Sequence, residues 1–394
     1  MRIIQFGIVA LLFSTLISCN KSDDYQDIPT YPNVAAAFGN NIDLNHLDNY
    51  ANQVVPAYIT KDNTQGNTIT DKGATLGRVL FYDKKLSSNN TISCASCHIQ
   101  SRAFSDSLVV SLGVNGTTAR HTMRLVNARF GNEKKFFWDK RAPTLEFQTT
   151  QPIRNHTEMG YSGLNGDPSI NDLITKLSAI GYYQELFQFV YGSPEITEDK
   201  IQLALAQFVR SIQSFDSRYD IGRAQTTDDV LSFPNLTSEE NKGKRLFMTL
   251  PVFDATGKRT TGGIGCVACH NAPEFDIDPN AKNNGILGTI GSNAMDITVV
   301  RAPSLRDLTQ TNGKLNGPLM HTGIITTLQN VLDHYGLMNV ATANTNLDPR
   351  LVPNGFGQDL NMSSQEINSV IAFLKTLAGT NVYTDPKWSN PFHP

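Results

Sequence analysis

Five cysteines are spread along 394 residues, and four of them fall into two identical patterns. Cys94-Ala95-Ser96-Cys97-His98 and Cys266-Val267-Ala268-Cys269-His270 both read CxxCH. Two thiols three positions apart lie on one turn of backbone, where each can add to one vinyl group of a porphyrin. The histidine that follows is carried beneath the ring, with its imidazole placed to bind iron. The composition gives such a match by chance in about one chain in a thousand. Two matches therefore predict two covalently attached haems c, with His98 and His270 as iron ligands. A redox CxxC or a zinc site explains less, because neither needs the histidine and zinc would need further thiolates.

The fifth cysteine closes an export leader. Met1-Arg2 precedes an almost continuous apolar run from Ile3 to Leu16, too short for a permanent membrane span. It ends in Leu16-Ile17-Ser18-Cys19, which resembles the lipobox of bacterial lipoproteins. This predicts a signal peptide over 1–18, lipidation at Cys19 and a tether over 19–40. An exported lipoprotein follows, on the periplasmic side of a membrane or at the cell surface of a Gram-negative bacterium, with the lipid as its only membrane contact. Two disulfides would be the default there, but the spacing assigns the other four cysteines to haem. Lys+Arg 33 against Asp+Glu 36 leaves a net charge of -3, so the chain has no basic footprint for nucleic acid.

The elements that must carry the motifs are helical. Gly77-Arg78-Val79-Leu80-Phe81 precedes the first motif and Gly243-Lys244-Arg245-Leu246-Phe247 the second, and the motifs stand 172 residues apart. A duplicated small haem domain is the simplest account. Thr237 and Glu240 form a capping box for the second of these helices, and Ser363 and Glu366 one for a helix through Leu374 that stops at Gly379. Asp167-Pro168 opens a segment with Ile170, Leu173, Ile174, Leu177 and Ile180 at helical spacing, and Thr197 begins another with Ile201, Leu205, Phe208 and Ile212 on one face. The stretches 276–293 and 339–357 are rich in Asn, Gly and Thr and read as long loops around the second haem. The expected fold is mostly α: two tandem class I cytochrome c-like domains, 41–225 and 226–394, packed together with little strand.

Several clusters in order give the chain a family likeness. They run Leu76-Gly77 to Phe81, Asp83, Leu86-Ser87, Phe104-Ser105-Asp106, Ser111-Leu112-Gly113, Phe137-Trp138-Asp139, Arg141-Ala142, Gln148 and Glu158-Met159. In the second half come Arg301-Ala302-Pro303-Ser304-Leu305-Arg306 and Met320-His321-Thr322-Gly323. With these the chain resembles the bacterial di-haem cytochrome c peroxidases and their MauG-like relatives over nearly all of its mature length. The resemblance implies that the N-terminal haem reacts with peroxide and that the C-terminal haem receives electrons from a cytochrome c or cupredoxin. It implies Glu158 as the residue that moves a proton between the peroxide oxygens, Gln148 as a hydrogen-bonding partner of the outer oxygen, and Trp138 as an electron relay. Arg301 and Arg306 would face haem propionates, and the protein would be a homodimer.

Three positions depart from the pattern. Where many of these peroxidases carry a loop histidine that blocks the first haem, this chain has Val114, which cannot bind iron; a site open without reductive activation is the expectation. His121 is the nearby alternative ligand, but it stands where the family has an asparagine that helps bind calcium. Calcium is therefore in doubt, although Pro318 keeps part of that pattern. Opposite His270 the peroxidases place a methionine, whereas the matching position here is Tyr335, as in the MauG-like branch. A phenolate there would lower the reduction potential; Met338, His334 and Met320 are its local competitors. Three functions are thus open: a peroxidase, a MauG-like oxidase of a partner protein or organic substrate, and an electron-transfer cytochrome with both irons six-coordinate.

Overall fold

A computed structural model describes residues 30–392. The predicted leader 1–18, Cys19 and the tether up to residue 29 lie outside the described residues. From Pro32 the chain is already folded: Val34 and Phe38, one helical turn apart, bury themselves in the first apolar cluster, so the part of the expected tether after that point is structure.

Helices dominate. In chain order they are α1 (Pro32–Phe38), α2 (Asp71–Tyr82), α3 (Cys94–Cys97), α4 (Leu145–Thr150), α5 (Ile170–Ser178) and α6 (Gly181–Tyr191). After them come α7 (Glu198–Ser211), α8 (Arg218–Arg223), α9 (Ser238–Met248), α10 (Leu328–Gly336) and α11 (Ser364–Lys375). Among the described residues, none is long and apolar enough to cross a membrane. Among the described residues the strands form four antiparallel two-stranded hairpins: β1 (Leu112–Gly113) with β2 (Gly116–Thr117), and β3 (Pro251–Phe253) with β4 (Arg259–Gly262). The other two are β5 (His270–Asn271) with β6 (Asp276–Ile277), and β7 (Gly288–Thr289) with β8 (Ser292–Met295).

The helix starts follow the capping chemistry of the sequence. Thr197, Thr237 and Ser363 each accept from the backbone N–H three residues on, and the last two complete capping boxes with Glu240 and Glu366. α5 differs from expectation: Ser169 caps it with Asp172, and it ends at Ser178, so Ile180 belongs to the bend into α6. α6 carries no start signal, because Ile180 at its N-cap offers no side-chain acceptor. The segments read as loops, 276–293 and 339–357, contain β6, β7, part of β8 and two 3₁₀ turns.

The repeated Gly–x–x–x–Phe helices have a shared packing role. A Cβ at Gly77 of α2 would stand 2.1 Å from the Ala204 carbonyl oxygen of α7, and one at Gly243 of α9 would stand 1.8 Å from that of Ser369 in α11. Each haem-motif unit thus crosses two helices backbone against backbone, which only glycine permits. Gly243→Ala should gain about 0.5–1 kcal/mol of helix propensity and lose about 1–3 kcal/mol or more to the clash. Net destabilisation in a urea titration is expected; an unchanged midpoint would show that the crossing can relax.

Two apolar clusters lie within the unit that begins at Tyr31. The first gathers residues from Val34 to Ile212, the second from Tyr219 to Leu377. The chain then returns to the first: Val382 and Trp388 are buried there, and the Lys387 and Trp388 carbonyls accept from the Tyr50 and Tyr82 hydroxyls at 2.5 and 2.6 Å.

Candidate functional site

The first CxxCH motif forms α3, capped by Ser93 and Ser96, and opens into a cavity of about 720 Å³. Cys94, Cys97 and His98 line it together with Gln148 from α4, Glu158, Trp138, His121 and Arg301. Burial pushes the two thiols up to about 12 and about 11. The His98 ring is fixed in one tautomer: its Nδ1–H donates to the Phe104 carbonyl at 3.1 Å, and burial pulls its pKa down to about 4. Nε2 therefore carries the free lone pair, the arrangement in which a histidine binds iron.

The cavity also holds polar atoms with nothing to bond. His121 is 4% exposed; its Nδ1–H donates to the Leu108 carbonyl at 3.0 Å, and its Nε2 has no partner. The Arg301 guanidinium stacks 4.7 Å from the Phe136 ring with Nε unpartnered, and burial draws its pKa down to about 10. Buried polar atoms without partners are rare in a finished structure. Two thiols, a lone-pair imidazole and an unspent guanidinium suit an iron porphyrin with carboxylate side chains.

Glu158 is partly buried, and burial pushes its carboxyl above the ordinary range against the pull of Arg141. Its backbone is held firmly. The Glu158 N–H donates to Asn155 Oδ1 at 3.1 Å, and its carbonyl accepts from the Val114 N–H at 3.0 Å. Val114 sits on the turn between β1 and β2, and Gly113 packs so closely on Thr157 that a Cβ would lie 2.1 Å from its carbonyl. Trp138 donates Nε1–H to the His121 carbonyl at 2.8 Å, its ring meets His321 edge-on at 6.2 Å, and its carbonyl accepts from Val300 and Arg301. It therefore stands where the two halves of the chain meet.

Arg306 is not brought to this cavity. Its guanidinium is fully buried, pairs with Asp220 at 2.9 Å and donates to the Pro273 carbonyl, leaving Nε without a partner. Arg120, which the sequence did not mark, bridges Asp139 and Asp296 at 2.7 and 2.6 Å and ties the residue that follows β8 to the first half. Its only sequence signal was its place beside His121.

At the second motif, Cys266 opens a 3₁₀ turn, Cys269 follows it and His270 opens β5. Burial pushes the thiols up to about 12 and about 11 and His270 down to about 4, and the buried His270 Nδ1 has no partner. Arg350, salt-bridged to Asp278 and Asp348 at 2.7 Å each, lies beside Cys269 and was likewise missed. Tyr335, on α10, has its phenol raised by burial, with Cys269 and Cys266 close enough to add to the effect. Its hydroxyl accepts from Asn284 Nδ2 at 3.1 Å. The competitors stand nearby: Met320 Sδ is 3.4 Å from the same amide, and the His334 Nε2–H donates to the Asn284 carbonyl at 2.8 Å.

The chain is similar to known proteins over most of its length. Residues 71–228 match the family described as di-haem cytochrome c peroxidase. The methylamine utilization protein MauG of Methylorubrum extorquens is 31% identical over 325 residues, 79% of this chain and 80% of that protein. Cytochrome c551 peroxidase of Nitrosomonas europaea is 28% identical, over 78% and 80% of the two chains. A MauG-like protein associated with microbial copper homeostasis superposes with a TM-score of 0.66 at 28% identity, covering 86% of this chain and 99% of that one. A mostly helical chain with two CxxCH motifs, one opening on a glutamate-bearing cavity, and with relatives of both kinds over most of its length, is a member of the di-haem cytochrome c peroxidase family, oxidoreductases with haem c as cofactor.

Proposed function

We propose that the protein is an exported di-haem peroxidase that reduces hydrogen peroxide at the N-terminal site, H₂O₂ + 2e⁻ + 2H⁺ → 2H₂O. The observation that carries this reading is the convergence of Glu158 and Gln148 on the cavity that holds Cys94, Cys97 and His98. Haem c, held by these three residues, would supply an iron that exchanges electrons and binds an oxygen ligand. The Glu158 carboxylate receives the proton of the inner peroxide oxygen and returns it to the outer one, so that the outer oxygen leaves as water. The Gln148 amide holds that outer oxygen in line. Trp138 passes electrons from the second site, where Cys266, Cys269 and His270 would hold the other haem and a small redox protein would dock. Arg301 would answer a propionate. Val114, with its backbone tied to Glu158, places no iron ligand over the first site.

A second reading is a MauG-like oxidase acting on a partner protein or organic substrate. Tyr335 favours it, because a phenolate on the second iron would lower its potential and disfavour uptake of electrons from a donor. The test is peroxide consumption by the as-isolated ferric protein with reduced cytochrome c. Steady turnover without prior reduction is expected. A long-lived oxidised spectrum without turnover would select the oxidase, and silence even after half-reduction would leave an electron-transfer cytochrome.

A further inference from the structure

The loop Asn283–Gly285 meets each of the four residues that could serve as a ligand at the second site, Tyr335, Met320, His334 and Met338. Asn284 Oδ1 accepts from the Ile286 N–H at 3.1 Å, which fixes the orientation of its amide. The two protons of Nδ2 then point at two different atoms: Tyr335 Oη at 3.1 Å and Met320 Sδ at 3.4 Å. The Asn284 carbonyl takes the His334 Nε2–H at 2.8 Å. At Gly285 (φ +88°) a Cβ would stand 2.8 Å from Met338 Sδ and 3.5 Å from His334 Cε1, so this glycine lets both residues close on the loop.

We propose that Asn284 is the positioning residue that selects the phenol oxygen of Tyr335 over the thioether of Met320 at the second haem. The inference rests on the reading of Tyr335 as a ligand and adds how that choice is made. An N–H on the phenol oxygen stabilises the deprotonated, iron-binding form, whereas an N–H on the Met320 sulfur occupies a lone pair that would otherwise be offered to iron. His334 has its protonated Nε2 committed to the loop carbonyl, and Met338 is buried behind Gly285. Thioethers favour the reduced metal and phenolates the ferric one. One amide therefore sets both the ligand and the potential.

The test uses the full-length holoprotein with two variants, Asn284→Ala and Asn284→Asp; the second keeps the size of the side chain and sets a carboxylate against the phenolate. Haem content, the visible and near-infrared spectrum of the ferric protein, and the potential of the second haem are measured. The wild type should show phenolate ligation. Both variants should lose most of that signature, gain one of thioether ligation and titrate at a higher potential. Adding Met320→Leu should abolish the thioether signature, while Met320→Leu alone should leave the phenolate in place. Variants that keep the wild-type signature and potential would overturn the inference while sparing Tyr335. A wild type without phenolate ligation would overturn both, and that is visible before any variant is made.

Discussion

Glu158→Gln should lower peroxide turnover by about 10²–10⁴-fold while haem content and the resting spectrum stay as in the wild type. The amide keeps the shape of the carboxyl but can neither take nor return a proton. The backbone that positions it, bonded to Asn155 and Val114, does not depend on the side chain. Burial raises the Glu158 pKa, which gives the reaction an acid limb. Turnover should fall as pH drops through a value above the ordinary ~4.3 of a glutamate, because the protonated carboxyl can no longer accept the peroxide proton. The stability effect has its own sign. A carboxyl whose folded pKa is raised costs the fold stability as pH rises through that pKa, so the glutamine variant should unfold no earlier than the wild type at neutral pH. Turnover within a few-fold of wild type would remove Glu158 from the chemistry.

What the sequence could reveal depends on how local each signal is. The CxxCH motifs and the caps at Thr197, Thr237 and Ser363 were legible because all their information lies within five residues. The Gly77 and Gly243 repeat was visible as a pattern, but its reason, a backbone crossing with α7 and α11, depends on partners more than 120 residues away. Arg301 and Arg306 stand in one motif and looked equivalent. The fold sends one into the cavity beside Phe136 and the other to Asp220, a partner with no sequence mark. Asn284 lies in an asparagine-rich stretch that reads as loop; only contact with Tyr335 and Met320 sets it apart from its neighbours. By its position in the sequence the final segment belongs with the second domain, yet the indole of Trp388 is buried in the first apolar cluster.

Trp138→Phe should uncouple the two sites. The phenyl ring keeps most of the packing against His321 and the cavity wall, but it is much harder to oxidise than an indole and lacks the Nε1–H that holds the His121 carbonyl. Loss of that bond leaves a carbonyl unsatisfied, a cost of about 1–3 kcal/mol, so the variant should be stable enough to isolate with both haems. Stoichiometric reaction of peroxide at the first site should proceed at its usual rate, since Glu158 and Gln148 are untouched. Reoxidation of the reduced second haem after peroxide addition should slow by more than about tenfold, a barrier increase of about 1.4 kcal/mol, and steady turnover with an external donor should fall with it. Trp138→Tyr, which keeps an oxidisable ring, should recover part of the rate. Rapid mixing with the two haems followed separately distinguishes this from a general loss of activity: a second haem that reoxidises at the wild-type rate in Trp138→Phe would mean that electrons cross between the halves by another route. One such route starts at the His121 N–H, which donates to the His321 carbonyl at 2.7 Å, and continues through Met320 to Asn284 and Tyr335.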